Sequence, residues 1–325
     1  MNKYIKLIIG TVFSIIGLYF AFKGENLGQL VYQIQQVNMD GVLLACALLL
    51  ASCIVRAYRW QLILNPIQSI NLKPVFAATM IGYFGNGVLA FRLGELLRAY
   101  SVAANRKLTV SQAFGTVILE RILDLLMVLI IFILTIPWFP FDHKWIRLGI
   151  FVFASITIIS IVLVYVVYRF QCIDKIGEFS ISNTKLGKTV FSLLNKVFDG
   201  ITIIVKTNHT GLIIFLSFVL WAFYFLVTLI ILDSCGLNIG YIGTGILLIL
   251  GSVAIGIPAL PGSAGTYDAG IKYSLMLVFG IGGQQALRYA IVSHAVSYFP
   301  LVIVGAVYFL LGSVRMKDIN MEQTT

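Results

Sequence analysis

A series of apolar runs, each long enough to cross a bilayer, constrains this chain more than any other feature. A helix of about 20 apolar residues spans the hydrocarbon core. Six stretches meet that length: 4–22, 41–63, 113–137, 147–168, 211–232 and 286–311. Three more, 75–91, 241–260 and 266–283, are apolar but shorter, or broken by Gly and Pro. Backbone polar groups cannot be satisfied by lipid, so such runs must fold as helices. The expectation is an all-α integral membrane protein: a polytopic bundle of about six to eight transmembrane helices with broken or re-entrant helices between them. The runs use nearly the whole chain, which predicts one membrane domain over residues 1–325. Only 11% of the 325 residues are charged, against about 25% in a soluble domain.

Charge placement gives an orientation. The net charge is +10, but no soluble basic surface exists to carry nucleic acid, so none is expected as a partner. If the N-terminus is inside and the six long runs cross, seventeen Lys and Arg fall on the inner side and three, Lys23, Lys144 and Arg147, on the outer side. The positive-inside rule then predicts a multi-pass protein of the cell membrane with both termini cytoplasmic. Run 4–22 starts with MNKYIK and reads as a retained first helix rather than a cleaved signal. Run 75–91 must start and end inside. Runs 241–260 and 266–283 must together start and end outside, either by crossing twice or by re-entering. One hairpin from each face is the pattern of an inverted repeat around a midplane site. Segments 24–40 and 186–206 are amphipathic and read as surface helices or as packing against the bundle. The cysteines, Cys46, Cys53, Cys172 and Cys235, show no metal or redox spacing.

Three constellations carry chemistry. The first follows a Gly-rich turn: Asn86, then Arg92-Leu93-Gly94-Glu95-Leu96-Leu97-Arg98. Glu95 and Arg98 lie three apart on a helix and can pair. Gly94 permits close backbone approach, and guanidinium forks suit phosphate. The second is Glu120-Arg121-Ile122-Leu123-Asp124, inside run 113–137. Each unpaired charge at that depth costs at least about 2.5–3.5 kcal/mol, so these three must face the bundle interior. Arg56, Arg59, Arg92 and Arg98 are the natural partners. The third is Pro258-Ala259-Leu260-Pro261-Gly262-Ser263-Ala264-Gly265-Thr266-Tyr267-Asp268, with Lys272 one turn on. Its prolines and glycines end any continuous helix, and the opened end offers N–H groups to an anion. The plainer alternatives are ordinary inner-face charges, a structural ion lock and a turn between crossings. Arg56, Arg59 and Trp60 alone read as interface anchors. His294, in the last run, reads as a satisfied interhelical donor.

Together these pieces resemble the transmembrane (flippase) region of lysylphosphatidylglycerol synthase and its stand-alone UPF0104 relatives. The resemblance rests on Arg59-Trp60, on Asn86 with Arg92-Leu93-Gly94-Glu95-x-x-Arg98, on Glu120-Arg121-x-x-Asp124, and on Pro258 with Pro261-Gly262-x-x-Gly265-x-x-Asp268. The family often has Pro where this chain has Ala90-Phe91, and Glu where it has Asp268. The resemblance implies a helix bundle with re-entrant elements that moves or binds lipid. The full synthases add a soluble domain that transfers lysine from tRNA. This chain ends at Thr325 without one, so aminoacyl transfer is not expected of it.

The leading expectation is therefore a lipid flippase or transporter for an anionic phospholipid or a polyprenyl phosphate. Its candidate substrate-binding residues are Arg56, Arg59, Asn86, Arg92, Gly94, Glu95, Arg98, Glu120, Arg121, Asp124, Pro258, Pro261, Gly262, Gly265, Asp268 and Lys272. The alternatives are an integral membrane enzyme, or a lipid-presenting partner of a membrane glycosyltransferase or lipid synthase. Ser263 with His294 only distantly resembles an intramembrane serine protease. Glu25 and Asp40 are too far apart for the acidic pair of a polyprenol-using glycosyltransferase. No P-loop or HExxH motif appears, so no catalytic residue, metal or cofactor is expected. A homo-oligomer is compatible with the sequence.

Overall fold

The computed structural model describes residues 15–89, 93–104, 106–139, 207–256 and 261–312, with isolated positions between 148 and 203. The described residues are helical and contain no strand. Residues 15–22 form the end of the first helix. After it come α1 (Leu27–Gln35), α2 (Met39–Leu64), α3 (Leu72–Val88), α4 (Gly94–Ala103) and α5 (Val110–Thr135). The later part comprises α6 (Thr210–Ser234), α7 (Gly240–Gly256), α8 (Thr266–Phe279) and α9 (Gly283–Leu311). Runs 147–168 and 186–206 lie almost wholly outside the described residues.

Local chemistry sets the helix starts. Asn38 caps α2 by accepting from the backbone N–H groups of Asp40 and Gly41. Thr109 and Gln112 form a reciprocal capping box on α5. The long helices α2, α6 and α9 are long and apolar enough to cross a membrane. α5 has the same 26 residues as α2, with its charges turned inward. Leu43, Ile54, Phe215, Phe218, Phe299 and Ile303 are exposed on the outside of the bundle, as lipid-facing side chains must be.

The short helices answer the ambiguity of the sequence. α3 and α7 have 17 residues each, α4 has 10 and α8 has 14. At about 1.5 Å per residue, their described residues reach about 25 Å at most, less than the hydrocarbon core of about 30 Å. α3 packs on α4 and α7 packs on α8. Each pair is a helical hairpin that turns back within the bundle.

The order long, short, short, long occurs twice, as α2–α5 and α6–α9. The contacts repeat with it. α3 packs on α9 and α7 on α5; α2 packs on α9 and α6 on α5; α4 packs on α5 and α8 on α9. The equivalent helices α2 and α6 also pack on each other, and they run antiparallel. The start of α2 meets the end of α6, where a Cβ on Gly41 would strike Ser234. The end of α2 meets the start of α6, where Arg59 donates to Ser217 at 2.9 Å. A twofold axis that reverses a crossing helix lies in the membrane plane. The two halves are therefore an inverted repeat.

Candidate functional site: an arginine cluster between two hairpins

Four arginines and three carboxylates from α2, α4 and α5 form one network. Arg59, fully buried, reaches Asp124 at 2.8 Å and Glu120 at 3.3 Å. Arg56 reaches Asp124 at 3.0 Å and also donates to the Tyr224 hydroxyl on α6. Arg98 reaches Glu120 at 2.7 Å, and its guanidinium stacks on the Trp60 ring at 3.7 Å. Arg121 reaches Glu95 at 2.7 Å and Asp124 at 3.5 Å. Glu120 is fully buried. Among the described residues, four cations here face three anions. Nε of Arg59, Nε and Nη2 of Arg98, Nη1 of Arg56 and Nε of Arg121 are buried with no protein hydrogen-bond partner, and so is Oε2 of Glu120.

The first hairpin positions Arg98. A Cβ on Gly94 would overlap the Gly82 carbonyl and the Asn86 backbone, so only glycine lets α4 lie this close to α3. Gly82 in turn lies against the Arg98 side chain. Asn86 faces Gly94 across this contact, with its Oδ1 buried and without a partner.

The second hairpin carries a smaller cluster. Gly262 has φ +73°, which a side chain at that position would strain. A Cβ there would also strike the Tyr298 ring. The Asp268 carboxylate accepts from the Gly265 backbone N–H at 2.9 Å and faces His294 Nδ1 at 2.8 Å. His294 Nε2 faces the Gly262 carbonyl at 3.0 Å. The Tyr298 hydroxyl donates to the Gly87 carbonyl of the first hairpin at 3.1 Å. Tyr298 thus touches both hairpin tips.

Comparison with known proteins fits this architecture. The family described as "Lysylphosphatidylglycerol synthase TM region" matches residues 7–305. The chain belongs to this family. The UPF0104 membrane protein PH1989 of Pyrococcus horikoshii is 23% identical over 331 residues, covering 95% of this chain and 97% of that protein. The UPF0104 membrane protein MJ1078 of Methanocaldococcus jannaschii is 26% identical over 237 residues, covering 70% of this chain and 94% of that one. No solved structure gives a significant match.

Within this synthase-TM-region member, the sequence motifs fall into two groups. Arg56, Arg59, Glu95, Arg98, Glu120, Arg121 and Asp124 come together in the arginine cluster, with Gly94 and Asn86 shaping its hairpin. Pro261, Gly262, Gly265 and Asp268 build the second tip. Arg92 and Pro258 lie outside the described residues. Some expected pairings differ. Glu95 and Arg98 pair with α5 rather than with each other, because both sit on the face of α4 that packs on α5. Trp60 is no interface anchor: it is fully buried, and its Nε1–H donates to Thr116 at 2.9 Å. At the opened start of α8, Asp268 caps the Gly265 N–H. Lys272 does not join Asp268. It is buried against the segment before α1, at 2.6 Å from Glu25 and 2.8 Å from the Ala21 carbonyl.

Sequence reasoning missed Ser217, Tyr224 and Tyr298 as members of these clusters, whereas His294 is bonded between helices as read. Ser217 and Tyr224 are seven apart in a largely apolar helix, a two-turn spacing that places them on one face. That spacing was the available signal. Both ring nitrogens of His294 are engaged by Asp268 and Gly262, so neither is left to activate Ser263 as a protease would require.

Proposed function

We propose that this protein moves a lipid with an anionic phosphate headgroup, a phospholipid or a polyprenyl phosphate, across the cell membrane. The observation that supports this reading is the arginine cluster. An excess positive charge inside a bilayer protein is costly, and among the described residues the cluster holds four arginines against three carboxylates. Here several buried guanidinium N–H groups lack partners. A phosphate oxygen accepts from such groups in the fork geometry that arginine presents. Glu95, Glu120 and Asp124 hold the forks in place and compete with the phosphate for them, so the headgroup is bound but released. The inverted repeat supplies two hairpins that can open the site to opposite sides in turn. By the positive-inside count, the first hairpin faces the cytoplasm and the second the outside.

The test is transbilayer movement of labelled lipids in vesicles containing the full chain. Anionic phosphatidylglycerol or a short polyprenyl phosphate is expected to move faster than zwitterionic phosphatidylcholine. The paired variant Arg98→Met with Glu120→Gln removes one cation and one anion, which avoids an orphaned charge. It is expected to purify as folded protein and to move anionic lipid at least about tenfold more slowly, the loss of about 1.4 kcal/mol of binding or more. Unchanged movement in that variant would overturn the reading.

A further inference from the structure

The inverted repeat places two ion pairs in equivalent positions with different chemistry. Arg121 is the twelfth residue of α5 and holds Glu95 on α4. His294 is the twelfth residue of α9 and holds Asp268 on α8. In each half, then, a cation on the last long helix clasps a carboxylate on the second arm of the hairpin. In the first half that cation is an arginine, which never loses its proton at physiological pH. In the second it is a histidine, the side chain whose charge changes most readily there.

The second clasp is also built so that its strength depends on that charge. The atoms facing the ring, a carboxylate oxygen of Asp268 and the carbonyl of Gly262, are both acceptors. Only an imidazole with a proton on each nitrogen donates to both; the neutral ring must leave one unsatisfied. The Gly262 carbonyl belongs to the hairpin tip and the Asp268 carboxylate to the arm behind it. One proton on the ring therefore fastens the tip to α9, and its loss frees it. The other titratable groups around the ring are the Tyr267 ring of α8 at 5.2 Å and the Tyr298 ring of α9 at 6.1 Å. α3 approaches through the Gly87 carbonyl, taken by Tyr298. Lys272 of α8 is engaged by Glu25. Among the described residues, Asp268 is the charged group paired with the ring.

We propose that a proton on His294 closes the second hairpin and that its release opens it, so that lipid movement is proton-linked. The proton passes between water at the hairpin tip and the ring. The cluster carries one charge more when closed than when open. The proton linkage rests on the transport reading above, whereas the hairpin switch does not.

Two measurements separate them. Hydrogen–deuterium exchange of the full chain in lipid nanodiscs, corrected for the pH dependence of chemical exchange, follows the amides at 262–266 between pH 5.5 and 8. Protection at least tenfold greater at the acid end is expected in the native protein. His294→Arg and His294→Gln, each with a charge fixed over this range, are expected to give pH-independent exchange. Equal corrected exchange at both ends in the native protein would overturn the proposal, as would a pH dependence that survives in a folded His294 variant. In parallel, vesicle assays with labelled phosphatidylglycerol follow lipid movement over the same range and across an imposed pH gradient. Movement that responds to pH in the native protein but not in the two variants supports the linkage. Movement that ignores pH overturns it. If the hairpin responds to pH but no anionic lipid moves under any condition, the transport reading and the linkage fall together and the proton switch stands.

Discussion

Replacing Glu120 with alanine is expected to cost about 3–5 kcal/mol of stability, because it leaves buried charge without its partner. Glu120 is fully buried and holds both Arg59 and Arg98. Without it, Arg98 loses its carboxylate partner and Arg59 keeps only Asp124. Among the described residues, four arginines would then face two carboxylates. Thermal unfolding in detergent or nanodiscs reads this directly. The expected result is a steep loss for Glu120→Ala, and a much smaller one for the charge-balanced pair Arg98→Met with Glu120→Gln. Equal losses would mean that packing rather than charge pairing holds α2, α4 and α5 together.

The second large effect is expected at Gly94. A Cβ there would meet backbone, the Gly82 carbonyl and the Asn86 amide, which cannot swing aside as a flexible side-chain end can. Forcing extra volume into a packed contact costs about 1–3 kcal/mol. The consequence is not confined to stability. α4 would move away from α3, carrying Glu95 and Arg98 off Arg121 and Glu120. Gly94→Ala is thus expected to lower the unfolding temperature and to slow lipid movement together. Gly211→Ala is the control: it adds a methyl where nothing lies within 4 Å, and in a helix this substitution is neutral or slightly stabilising. A Gly94→Ala protein as stable and as active as the Gly211→Ala protein would remove the hairpin contact from the account of the site.

The two clusters explain each other through the repeat. The first hairpin is clasped by Arg121 and Glu95, the second by His294 and Asp268, and Tyr298 lies against both tips. On the transport reading, a site between two such hairpins would open to one side while the other clasp holds. Both clasps join a short helix to a long one. The arginine cluster sits beside the first clasp and shares Arg121 with it. Occupation of the cluster by a phosphate would therefore compete directly with Glu95 for that arginine.

The sequence by itself determined the class of molecule. Long apolar runs admit only helices in a bilayer, whatever their neighbours are. It also determined that Glu120, Arg121 and Asp124 face inward, since lipid cannot accommodate them. It marked 75–91 and 241–283 as segments that do not cross simply, because Gly and Pro interrupt them. The tertiary structure alone decided the pairings. Glu95 finds Arg121 and Arg98 finds Glu120 because α4 folds back onto α5, a contact between segments whose spacing in sequence carries no register. His294 meets Asp268 because the second hairpin packs on α9, twenty-six residues further along the chain. The inverted repeat was legible only as an order of long and short runs. Residue identity between the halves is faint, because a bundle needs only apolar faces of matching length, and its symmetry appears when the helices pack.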